Sequence, residues 1–201
     1  MLVAALVVTW TDGTPAGDNV HLLQPTLLSS APAFSVVASH FQAAIALPGP
    51  PIPTAAPTLI LIPSLNVHRP VEPVGLDRSG AMAIPQNLWN AGWYKGGPVP
   101  GAPGDAVIEG HAGYPDAPLL FGKLRKLHSG DQIVVVLADG SRRLFLVDSM
   151  AIWAAGTGPP DMGEPYGPAR LTLITCTGPF DDHYKTYADR LAVEATYAGL
   201  A

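Results

Sequence analysis

The run "QIVVVLADGSRRLFLVD", residues 132–148, places the dipeptide Asp139-Gly140 between two apolar stretches rich in β-branched and aromatic residues. Asp-Gly in that setting is the strongest short-range signal for a β-hairpin, because the glycine accepts the positive φ that a tight turn needs. Four further runs have the same texture: "TLILIP" (58–63), "DAVIEGH" (105–111), "RLTLIT" (170–175) and "DRLAVEATY" (189–197). Each is short and bounded by Gly, Pro or Asp. Helical periodicity is scarce. Leu120, Phe121, Leu124 and Leu127 in "APLLFGKLRKLHSGD" predict one short amphipathic helix ending at Gly130, and "IPQNLWNAGWY" predicts a helical turn. Several short strands with so few helices imply a small all-β barrel or sandwich.

Composition narrows the function classes. A net charge of −5 offers no basic surface for nucleic acid, and no nucleic-acid partner is expected. A single cysteine excludes an intramolecular disulfide and a multi-cysteine zinc site. The 22 prolines and 21 glycines in 201 residues require either loop-rich β structure or a disordered segment. Prolines cluster in "LPGPPIPTAAP", residues 47–57, a composition that favours an extended, semi-rigid spacer. Ahead of it the chain has no Lys or Arg; the first is Arg69. "MLVAALVVTW" is apolar but about half the roughly 20 residues of a spanning helix, and it lacks the basic flank of a signal peptide. Residues 1–57 therefore read as an N-terminal tail and Pro-rich spacer, either the end of a membrane anchor or an ordinary disordered tail. Residues 58–201 read as the folded domain.

Three residue types sit at the predicted strand ends: His111 closes "DAVIEGH", Cys176 follows "RLTLIT", and Arg190 opens the last run. Strand ends on one rim of a barrel lie close together however far apart they are in sequence. Together the three would suit acyl transfer through a thioester. A guanidinium favours thiolate and donates to an oxyanion, and an imidazole protonates a departing amine and deprotonates an incoming one. Each residue taken alone has a plainer reading: an inert core thiol, a turn histidine, a solvated arginine. His183, seven residues after Cys176, is a rival base. Asp181-Asp182 could bind a cation, but reads better as the cap of a helical turn before "HYKTY". No metal-ligand spacing, phosphate loop or dinucleotide fingerprint occurs, and no cofactor or metal is expected.

At "VIEGHAG", "LTLITCTG" and "YADRLAVEA" the chain resembles the sortase family, cysteine transpeptidases of Gram-positive bacteria. The likeness extends over "LILIPSLNVHRPVEPVGLDRSGAMAIPQNLWNAGWYKGG", spans roughly residues 58–198, and is greatest for actinobacterial class F, with class E next. The resemblance implies a closed eight-stranded β-barrel with one or two short helices. It implies Cys176 as nucleophile, His111 as general acid/base and Arg190 as substrate-orienting residue and oxyanion donor, with Thr175 shaping the substrate groove. It further implies an LPxTG-type sorting signal cut between Thr and Gly. The acceptor would be an amine on a peptidoglycan precursor or a pilin lysine. The enzyme would be a monomer tethered at the extracytoplasmic face of the membrane. Other thiol enzymes fit less well. Papain-like hydrolases place Cys before His, and the "SHGC" run of cysteine peptidoglycan transpeptidases does not occur. The remaining alternative is a non-catalytic secreted β-barrel or sandwich binding module with a buried structural cysteine.

Overall fold

Asp139-Gly140 forms the expected turn: Gly140 takes φ 81°, its N–H donates to the Leu137 carbonyl at 3.0 Å, and the Asp139 carboxylate accepts the Ser141 N–H at 2.9 Å. The computed structural model describes residues 51–114, 116–183 and 186–201. Ten strands run through these residues. They are β1 (Pro57–Ile62), β2 (Val67–Val74), β3 (Ala91–Tyr94), β4 (Asp105–Glu109), β5 (Gly113–Tyr114), β6 (Ala117–Pro118), β7 (Gln132–Leu137), β8 (Arg142–Ala154), β9 (Arg170–Asp181) and β10 (Thr186–Leu200). Eight close into a barrel in the order β1-β2-β3-β4-β9-β10-β8-β7, and β5 and β6 form a separate two-stranded ribbon. The pairs β2–β3 and β4–β9 are parallel; the other barrel pairs are antiparallel. Closure gives each of the eight barrel strands a neighbour on both sides along at least part of its length.

Period-two alternation fills the barrel. Ile60 and Ile62, Ala106 and Ile108, Ile133 and Val135, Leu171 and Leu173, and Leu191 and Val193 all point inward and are buried. Two prolines inside β2 are tolerated for a specific reason. Residues 67–70 pair only with β1 and residues 71–74 only with β3, so Pro70 and Pro73 each have one side free of the ladder.

Two helical expectations are corrected. Leu120, Phe121, Leu124 and Leu127 are all buried as their pattern implies, yet the segment forms only a single 3-10 turn, Leu124–Lys126. Its N–H groups are committed elsewhere: that of Phe121 donates to the His111 carbonyl at 2.9 Å, and those of Leu124 and Leu127 reach back three residues. "IPQNLWNAGWY" is a tight turn with Asn90 N–H on the Asn87 carbonyl, leading directly into β3. Asp181 ends β9, and its carboxylate accepts the His183 N–H at 2.8 Å, while residues 184 and 185 of the turn expected at "HYKTY" lie outside the described residues. A second 3-10 turn, Pro63–Leu65, links β1 to β2.

Most of the proposed tail, residues 1–50, lies outside the described residues. The last part of the Pro-rich stretch rests on the barrel. Pro53 is buried, Ala55 and Ala56 pack against the core, and the Ala56 carbonyl accepts the Ala138 N–H at 2.8 Å.

Candidate active site

The parallel pair β4–β9 aligns Glu109 with Ile174, and the antiparallel pair β9–β10 sets Arg190 directly opposite Cys176. Since Ala106, Ile108, Leu171, Leu173 and Leu191 point inward, the alternate residues Val107, Glu109, Ile174, Cys176 and Arg190 share the outer face. His111 stands just past the end of β4, and two bonds lash the chain to β9 immediately before it. The Gly110 N–H donates to the Ile174 carbonyl at 3.1 Å, and the Thr175 hydroxyl donates to the Gly110 carbonyl at 2.7 Å. Gly110 has to be glycine, because a Cβ there would lie 2.6 Å from the Phe121 ring.

Two loops raise walls over this face and enclose a groove of about 760 Å³ that His111, Cys176 and Arg190 all line. One wall, between β2 and β3, contributes Leu76, Met82 and Ile84. The other, between β8 and β9, contributes Met162, Glu164 and Pro165. The first is a compact hairpin in which the Asp77 carboxylate accepts from Ser79 and Ala81, with Leu76 bridged to Met82. The second is pinned to β4. Asp105 accepts the Gly163 N–H at 3.2 Å and the Thr172 hydroxyl at 2.9 Å, while its own N–H donates to the Glu164 carbonyl at 2.9 Å. At Gly104, φ 99°, the loop comes so close that a Cβ would meet the Glu164 carbonyl oxygen at 2.3 Å. Burial pushes the Asp105 carboxyl up to about 6 against the opposing pull of the Thr172 hydroxyl and the Gly163 N–H.

The groove sets the charge states of its residues. Cys176 is half-buried; burial raises its thiol above the ordinary value, Arg190 pulls it down, and Glu109 pushes it up again. Burial lowers His111, whose Nε2 is buried with no hydrogen-bond partner among the described residues. A raised thiol and a lowered imidazole make the neutral pair the dominant resting form at neutral pH. Arg190 donates from Nη1 to the carbonyls of Tyr187 at 3.1 Å and Asp189 at 2.9 Å, which fixes one end of its fork to its own strand. Glu109 is the residue that the sequence reading passed over. Its Oε1 is buried with no hydrogen-bond partner among the described residues, and burial raises its carboxyl to about 7 despite Arg190. The signal was present in "DAVIEGH", a carboxylate that follows three apolar residues and stands two residues before the histidine.

Glu109 leads to a pH prediction. The folded state holds the Glu109 proton more tightly than the unfolded chain, whose carboxyl titrates near 4.5. Its stabilising contribution is complete below about 4.5 and is lost as the pH rises through about 7. Glu109→Gln is expected to flatten that loss, seen as a smaller fall in the denaturant midpoint between pH 4.5 and 7. It is also expected to lower the pH at which Cys176 reacts with iodoacetamide, because a carboxylate beside the thiol disappears. An unchanged alkylation profile would refute the electrostatic contact.

His111, Cys176 and Arg190 are thus brought to one groove, and the partial exposure of Cys176 there removes the reading of an inert core thiol. The rival base His183 is exposed and does not line the groove. Thr175 is buried, and its hydroxyl is spent on Gly110. Among the described residues, no three His, Cys, Asp or Glu side chains gather as metal ligands.

Fold and groove define a class first: a closed eight-stranded β-barrel with a thiol, an imidazole and a guanidinium on one outer groove. The chain belongs to the sortase family of cysteine transpeptidases, since the Sortase domain family matches residues 60–198. Among solved structures, it is similar to sortase A from Corynebacterium diphtheriae at 26% identity and a TM-score of 0.54, covering 75% of this chain and 63% of that one. It is also similar to sortase C-1 from Actinomyces oris at 26% identity and a TM-score of 0.55, covering 70% and 73% of the two chains. For sortase C1 of Streptococcus agalactiae, bound to MTSET, the identity is 24% and the TM-score 0.56, over 72% and 69% of the two chains. The chain thus spans less than two thirds of the length of the Corynebacterium sortase A. No curated protein matches the chain in sequence.

Proposed function

We propose that this chain is a transpeptidase that cleaves an LPxTG-type sorting signal between Thr and Gly and passes the acyl group to an amine. The observation that carries the reading is the placement of Cys176 opposite Arg190 on paired strands, with His111 on the same groove. As Sγ attacks the scissile carbonyl, His111 takes the thiol proton, so the reaction does not depend on a standing ion pair. The guanidinium of Arg190 supports the charge developing on the carbonyl oxygen. His111 then returns the proton to the departing glycine amine, leaving a thioester on Cys176. An acceptor amine attacks that thioester, gives its proton to His111 and releases the sulfur. Thr175 contributes by holding the Gly110–His111 turn to β9, which keeps the imidazole at the end of the groove. The apolar walls formed by Leu76, Met82, Ile84 and Met162 suit the leucine and proline of such a signal.

Further parts of the reading rest on the sequence motifs. "LITCTGPFD" favours the class F type, with class E as the alternative. The acceptor is a peptidoglycan precursor or a pilin lysine. The enzyme acts as a monomer at the outer face of the membrane, with residues 1–57 as tail and spacer and residues 58–201 as the catalytic domain. Mass spectrometry of the protein incubated with LPxTG and LAxTG peptides plus triglycine tests the core of the proposal. The expected products are a thioester adduct on Cys176, a cut after Thr, and a triglycine-capped peptide. Intact peptide and unmodified protein would end it.

A further inference from the structure

Cys176 lines a second cavity, of about 270 Å³, whose lining has only Thr175 and Cys176 in common with the groove. Its walls come from the segment following His111, including Ala112 and Phe121, and from Thr177 and Tyr187. Aromatic contacts hold the mouth in shape. Phe180 meets Tyr114 and Tyr187 edge-on, with ring centroids 5.7 and 4.9 Å apart, and the Tyr187 hydroxyl donates to the Gly113 carbonyl at 3.0 Å.

Arg125 is the one charged side chain among the described residues that line this cavity, with the Asp189 carboxylate behind its Gly178 wall and Asp116 near Tyr187. Its Nε and Nη2 donate to the hydroxyl of Thr177 at 3.1 and 3.0 Å, so the guanidinium is fixed to the residue that follows Cys176. Among the described residues no carboxylate takes up the remaining guanidinium N–H groups, and the one ion pair is Arg170–Glu194. The same segment exposes Lys123 and Lys126, and between Ala112 and Leu127 it carries a single acid, Asp116. A cation anchored on one side and open on the other, beside the reacting cysteine, is complementary to an anion.

We propose that this cavity is the acceptor subsite, and that it takes an amine whose own chain carries a carboxylate, which Arg125 holds. The inference rests on the transpeptidase reading and adds the chemistry of the second substrate. With the donor acyl group in the large groove, the acceptor enters past Ala112, next to His111. Its nitrogen bonds to the thioester carbonyl carbon, the C–S bond breaks, the ammonium proton passes to His111, and His111 returns it to the sulfur. Amine, carbonyl, proton and thiol balance with no further reactant.

The test uses Cys176→Ala protein labelled with ¹⁵N and titrated with glycylglycine or with glycylglycinamide, which differ only in the terminal carboxylate. Glycylglycine is expected to shift the amide resonances of Thr177 and Gly178 with an affinity higher on the order of fivefold, the scale of an exposed charge pair. Adding Arg125→Gln is expected to abolish the difference. In wild-type turnover the acceptor KM is expected to follow the same ratio. Equal affinities for the two dipeptides, or shifts confined to groove residues such as Val107 and Ile174, would overturn the assignment. If donor peptides fail to acylate the wild type, the transpeptidase reading falls, while the titration still decides whether the cavity holds a carboxylate.

Discussion

Cys176→Ala is expected to remove all detectable acyl-enzyme while leaving the barrel folded. The two halves of this result have separate causes. Cys176 lies on the outer face of β9, where the strand meets the groove, and not among the inward residues that make the core. Losing its sulfur deletes no core contact, so the circular dichroism spectrum and Tm should stay close to wild type. The chemical effect should be very large. Removing the nucleophile from an enzyme of the Ser-His-Asp type costs on the order of a million-fold. This chain has no second thiol to substitute. Cys176→Ser should not rescue, because a hydroxyl is far less acidic than a thiol that burial already holds up. An adduct of donor-peptide mass on the alanine variant would place the chemistry elsewhere in the molecule.

The parts of this arrangement that could be read from sequence are those written locally. Asp139-Gly140 dictates a hairpin whatever surrounds it, and the β-branched runs of β1, β4, β7 and β9 announce strands by their composition. Closure of those strands into a barrel was not local information; it came from the order and motifs shared with the sortase family. Long-range packing overrode local pattern at residues 117–131. The apolar spacing there is helical, but the Phe121 N–H is claimed by the His111 carbonyl, so the residues are buried without an α-helix. Glu109 went unread for a similar reason. Alternation assigns it to the face opposite Ile108, and that face becomes a partly buried site only once distant loops carrying Met82 and Met162 cover it. Arg125 likewise acquires a meaning only through Thr177, 52 residues further along the chain.

Arg190→Ala is expected to slow acylation by on the order of hundreds-fold, the usual cost of losing one oxyanion donor. Arg190→Lys is expected to recover only part of this, and the structure says which part. Arg190 acts on Cys176 in two ways. Its charge opposes the burial that raises the thiol, and its fork, tethered through Nη1 to the Tyr187 and Asp189 carbonyls, presents its other N–H groups in a fixed plane. Lysine keeps the charge and loses the plane. The pH dependence of alkylation at Cys176, which senses charge alone, should therefore return towards wild type in Arg190→Lys and shift upward in Arg190→Ala. The rate of thioester formation from a donor peptide, which also senses the donor geometry, should remain depressed in both. Full recovery of acylation by lysine would show that positive charge suffices. Loss of thiol acidity without loss of acylation would remove Arg190 from the transition state altogether.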